Sequence, residues 1–148
     1  MRHILAVLLI LGAGCPAGAA APAVQVTGWA RPTVAGQSTG AAYLTIRNAG
    51  PNDRLIALGS PLSASASVHR TLLVGGVARM RAVGPLSIGT RRALAMAPNG
   101  LHVMLMGLKA PLRPGARLPL TLRFERAGLV RTTLPIQMSA PDAGHAQH

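Results

Sequence analysis

Hydrophobic and polar positions along this chain alternate in short runs, each closed by Gly, Pro, Asn or Asp within about ten residues. Strict alternation places successive side chains on opposite faces, which marks a half-buried strand. Val24-Gln25-Val26-Thr27-Gly28-Trp29 reads as a first strand, ended by Arg31-Pro32 and Gly36-Gln37. Ala41 to Asn48 is a β-branched and aromatic run stopped by Ala49-Gly50-Pro51-Asn52-Asp53, a strong turn signal. Arg54 to Gly59 follows, bounded by Ser60-Pro61. Ser65 to Val74 and Val77 to Val83 then flank Gly75-Gly76, the pattern of a tight hairpin. Leu86 to Met96 reads as one more strand, and Pro98-Asn99-Gly100 turns into a run from His102. Leu118–Phe124 and Leu129–Ile136, joined by Glu125-Arg126-Ala127-Gly128, complete the set. No helical period, internal repeat or dividing linker interrupts it. Evenly spaced strands with Gly/Pro turns predict a single all-β domain, an antiparallel sandwich or Greek-key barrel.

The two ends read differently. Met1 to about residue 20 has a basic start, an apolar run from Ile4 to Leu11 and a small-residue region at Ala17-Gly18-Ala19, the layout of a secretory signal peptide. The domain then spans residues 21–137, and residues 138–148 form a small, polar tail expected to be disordered. No second long apolar run follows, so the mature chain is expected to have no transmembrane segment and to reside in the periplasm. The single cysteine, Cys15, lies inside the leader. Acylation at Cys15 ranks second, because Gly12-Ala13-Gly14 lacks the usual large aliphatic residue before a lipoprotein cysteine. Without Cys15 the mature chain has no thiol for a disulfide, a zinc site or nucleophilic catalysis.

Charge changes the picture less than its size implies. The net charge is +12, and of the fifteen Lys and Arg only Lys109 is a lysine. The arginines are dispersed, and Trp29, Tyr43 and Phe124 are too few to stack nucleobases. A nucleic-acid partner is therefore not expected, while docking onto an acidic protein is compatible with the charge. Within the domain the acids are Asp53 and Glu125, both read at turns. They supply no acid/base pair, and no Ser/His/Asp set exists, so an enzyme is not expected.

What remains is a set of soft ligands. His69 is followed by ten residues and Met80, then by twenty-one residues and His102-Val103-Met104. In a strand His102 and Met104 emerge on one face about 7 Å apart. Val103 and Leu105 face the other way, and His69 and Met80 fall on strands that pair across Gly75-Gly76. Imidazole and thioether without carboxylate suit Cu(I) far better than Mg, Ca or Mn. Met96, Met106 and Met138 read instead as core fillers.

His-x10-Met-x21-His-x-Met, with Ala42-Tyr43-Leu44, Gly75-Gly76-Val77 and Met104-Leu105-Met106-Gly107-Leu108-Lys109 around it, resembles the PCu(A)C family of periplasmic copper chaperones over roughly Trp29 to Pro135. The resemblance implies a cupredoxin-like β-barrel binding Cu(I) through His69, Met80, His102 and Met104. It also implies delivery to a copper-acceptor protein, such as the copper-centre subunit of cytochrome c oxidase or a thiol-bearing assembly factor. Sequestration for copper resistance uses the same ligands. Arg70 stands where the family often has Glu, so a cation beside His69 is expected to weaken copper binding slightly. Ala78 replaces a frequent further Met. His145 and His148 in the tail offer a second, looser site suited to Cu(II).

Overall fold

The computed structural model describes residues 22–141, so the leader with Cys15 and the tail histidines His145 and His148 lie outside the described residues. Among these residues ten strands form two sheets: β1 (Val24–Ala30), β2 (Thr39–Asn48), β3 (Asp53–Gly59), β4 (Ser63–Val74), β5 (Val77–Ala82), β6 (Leu86–Ile88), β7 (Arg92–Ala95), β8 (Leu101–Leu108), β9 (Arg117–Phe124) and β10 (Gly128–Pro135). One sheet runs β1-β2-β8-β4-β5, with β7 also paired to β2, and the other runs β10-β9-β3-β6. Every strand pairing is antiparallel. Neighbours far apart in sequence, such as β2 with β8 and β3 with β9, make this a Greek-key sandwich, the expected class.

Alternation explains the core. Ala42, Leu44 and Ile46 on β2, Val103 and Leu105 on β8, and Leu118, Leu120, Leu122 and Phe124 on β9 are all buried on the facing inner surfaces. Leu55 and Leu58 on β3 are three apart, which strict alternation would send to opposite faces. A register shift between Leu55 and Ala57 lets both turn inward. Gly28 sits where a Cβ would collide with the Tyr43 carbonyl, so β1 lies tight against β2, and Trp29 packs against Tyr43 in a tilted pair with ring centroids 4.8 Å apart.

Three sequence expectations change. Leu86–Met96 is two strands, because the chain reverses at Gly89-Thr90-Arg91, with Arg91 at φ 55°, and the halves join different sheets. Met138 is 76 % exposed, since the last strand ends at Pro135 and only Ile136 continues into the core. Met96 is buried as expected, and Met106 is half-buried. Asp53 is a buried clamp as well as a turn residue. Its Oδ1 accepts from the N–H groups of Arg54 and Arg126 and its Oδ2 from that of Ala127, each at 2.8 Å. Burial pushes the Asp53 carboxyl up, but these three donors, with the charge of Arg126, outweigh it and leave the pKa below the usual carboxylate range.

Candidate metal centre

The register of the larger sheet gathers the four candidate ligands. Residues directly opposite in an antiparallel pair share a face, as do residues two apart on one strand. His69 on β4 lies opposite His102 on β8, and Ser67 lies opposite Met104. Met80 on β5 lies opposite Thr71, two residues beyond His69. All four therefore project from the outer face of the sheet. The imidazole centroids are 6.1 Å apart with planes inclined by 32°. Met80 and Met104 line one open cleft with Tyr43, Ala41 and the loop from Arg31 to Gln37.

The two histidines are held in different ways. The turn before β8 closes with the Gly100 N–H donating to the Ala97 carbonyl and the Ala97 N–H to that of Leu101. This presents the Gly100 carbonyl to the ring of His102, whose Nδ1 lies 3.1 Å away. A carbonyl only accepts, so Nδ1 carries a proton, and the lone pair left to a neutral ring would be on Nε2. That Nε2 is buried with no hydrogen-bond partner, in a side chain only 4 % exposed. A buried nitrogen lone pair left open costs stability unless something binds it. His69 is half-buried, with Nε2 2.9 Å from the Ser67 hydroxyl. Burial, and then repulsion from His102, lowers its pKa from the ordinary value, which favours the neutral form able to coordinate.

Sequence reading did not single out Ser67 or Gly100. Ser67, two residues before His69, carries a signal in its parity alone, whereas the role of the Gly100 carbonyl needs the turn geometry. Arg70 also departs from expectation. Strand alternation points it away from His69, opposite Arg81 on the reverse face, so its charge does not sit on the ligand face. Met80 is 59 % exposed and lies on the sheet's edge strand, so one candidate ligand is open to solvent while His102 is enclosed. Among the described residues no three His, Cys, Asp or Glu side chains cluster as a metal site. The two thioethers and two imidazoles on this face are soft donors.

The chain is thus a Greek-key sandwich whose larger sheet carries two imidazoles and two thioethers on one face. A family model described as "Putative lipoprotein LpqE-like" matches residues 24–136, and the chain belongs to this family. "Putative lipoprotein Lxx21020" from Leifsonia xyli subsp. xyli (strain CTCB07) is 33% identical over 151 residues, covering 93% of this chain and 89% of its own length. The solution structure of CuI-DR1885 from Deinococcus radiodurans superposes with a TM-score of 0.64 at 28% identity, covering 82% of this chain and 83% of that one. The apo PCuAC domain from PmoF1 gives 0.65 at 27% identity, covering 79% and 95%. The copper-bound PCuAC domain from PmoF2 gives 0.67 at 23% identity, covering 81% and 97%, a likeness of fold alone.

Proposed function

We propose that this protein is a copper carrier, which binds one Cu(I) through His69, Met80, His102 and Met104 and releases it to an acceptor by ligand exchange. The observation that carries this reading is the buried, unpartnered Nε2 of His102, a residue directly opposite His69 in the β4–β8 pair. Similarity to the CuI-DR1885 structure and to PCuAC domains supports copper as the ion. The donor chemistry supports the cuprous state, because thioethers add little to the binding of harder ions.

Carriage requires a site that grips and lets go. His102 and Met104 leave a single strand and supply the fixed half of the site. Met80, on the edge strand, is the donor an incoming ligand replaces first. Thiolates bind soft metals more strongly than thioethers do, so transfer to a thiol-bearing acceptor runs downhill. The copper-centre subunit of cytochrome c oxidase, or an assembly factor upstream of it, is an acceptor of this kind. We place the protein outside the cytoplasm, secreted by its leader or anchored through Cys15. The family description and the name of the Leifsonia relative both carry the word lipoprotein, which weighs toward the anchor. The tail histidines His145 and His148 are proposed as a separate Cu(II) site.

Mixing the Cu(I)-loaded protein with an equimolar soluble dithiol acceptor under anaerobic conditions tests delivery against sequestration. Copper moving to the acceptor within the mixing experiment supports carriage. Copper staying on this chain at equilibrium contradicts it.

A further inference from the structure

The β4–β5 hairpin runs past the body of the sheet. The β8 ladder ends at Leu101 opposite Arg70, and the Thr71 N–H donating to the Gly100 carbonyl is the next bond along that edge. Beyond it, Leu72 to Arg79 is a free two-stranded ribbon, turned at Gly75-Gly76 with φ of 57° and 78°, as such a tight turn requires.

Nine large apolar side chains are exposed among the described residues, and four of them lie here: Leu72, Leu73, Val74 and Val77. Their register makes the tip apolar on both faces. Leu73 with Ala78 is on the ligand face, while Leu72, Val74 and Val77 are on the reverse face. A flat partner surface covers one face of a ribbon; only a medium that surrounds the tip covers both. The length fits such a medium. Leu72 to Val74 spans about 7 Å of strand, within the roughly 5–10 Å to which interfacial segments sink into a bilayer.

Charge follows the same geometry. Arg70 lies directly opposite Arg81, with Arg79 next along the same reverse face. Like charges opposed across a strand pair repel, and the one ion pair among the described residues joins Arg54 and Glu125 elsewhere. Arg79, level with Leu72 at the base of the tip, and Arg70 and Arg81 just behind it have no acidic partner, and lipid phosphates would neutralise them. From this juxtaposition we infer that the β4–β5 hairpin inserts its tip into an anionic bilayer surface, with Arg70, Arg79 and Arg81 on the headgroups. Insertion is independent of copper and of how the N-terminus is processed. It would bring the ligand-bearing face close to the membrane plane.

The test places an environment-sensitive fluorophore on Leu73→Cys in a full chain carrying Cys15→Ser. A second chain carries the label on Thr133→Cys, an exposed position on β10. Vesicles of phosphatidylcholine with phosphatidylglycerol should blue-shift the label at position 73 and leave that at 133 unchanged. Adding Val77→Asp should weaken the response at least about tenfold, as removing one buried aliphatic contact does. Circular dichroism checks that each variant keeps its β fold. No shift at 73, equal shifts at both positions, or the same response on pure phosphatidylcholine would overturn the inference. So would a shift at 73 produced only by a soluble copper-acceptor protein, which would make the tip a protein-docking element.

Discussion

His102→Leu separates a metal ligand from a structural histidine by the sign of its effect on stability. In the protein without metal, Nε2 of His102 is buried and unpaired. Such a group costs about 1–3 kcal/mol, which a leucine of similar volume relieves. The substitution also removes the Nδ1–H bond to the Gly100 carbonyl, worth about 0.5–1.5 kcal/mol. That carbonyl is not left empty, because it still accepts from the Thr71 N–H at 3.1 Å. The balance is a metal-free variant between about 0.5 kcal/mol less stable and about 2.5 kcal/mol more stable than the parent. Saturating Cu(I), at about a thousand times its dissociation constant, should stabilise the parent by roughly 4 kcal/mol and leave the variant unmoved. Urea unfolding with and without Cu(I), under reducing conditions, measures all four states. A metal-free variant destabilised by more than about 1.5 kcal/mol would make His102 a structural residue and refute the reasoning.

Met104→Leu keeps volume and should cost under about 1.5 kcal/mol of stability while lowering Cu(I) affinity; Met106→Leu, one pleat further on the same face, should bind nearly as the parent does. Competition against a Cu(I) chelator compares them, and equal losses would mean that the wrong thioether has been chosen. Because the His69 pKa is lowered on folding, its share of stability is complete above the ordinary value of 6.5 and is lost as pH falls from there through the folded value. Urea midpoints of metal-free protein from about pH 8 to about pH 5 should show this slope, and His69→Asn should remove it. Asp53→Ala strands three backbone donors and should cost about 3 kcal/mol or more near neutral pH by urea unfolding, whereas a loss under about 1 kcal/mol would contradict the clamp. The same lowered carboxylate should make stability fall with acid below 3.8, through the folded pKa of Asp53.

Much of the fold was legible because local signals agreed. Alternation in Val24–Trp29, the Gly75-Gly76 turn and the Pro98-Asn99-Gly100 break each mark a boundary within a few residues of where it falls. The pairing of His102 with Met104 needed only the two-residue period of a strand. What escaped depends on contacts between distant segments. Leu86–Met96 looks continuous until one half pairs with β3 and the other with β2. Nothing within Asp53's own neighbourhood announces that Arg126 and Ala127 will donate to it. The face on which Arg70 emerges follows from parity once β4 is known to run unbroken past His69. That His69 stands directly opposite His102 is a matter of register, which no spacing along the chain specifies.

The central claim is that His69, Met80, His102 and Met104 hold one ion together, and X-ray absorption on the Cu(I)-loaded protein tests it most directly. The account expects one copper per chain with both nitrogen and sulfur scatterers, and loss of part of the sulfur contribution in Met80→Leu and in Met104→Leu. A spectrum with no sulfur around copper, or one unchanged by both substitutions, would contradict it.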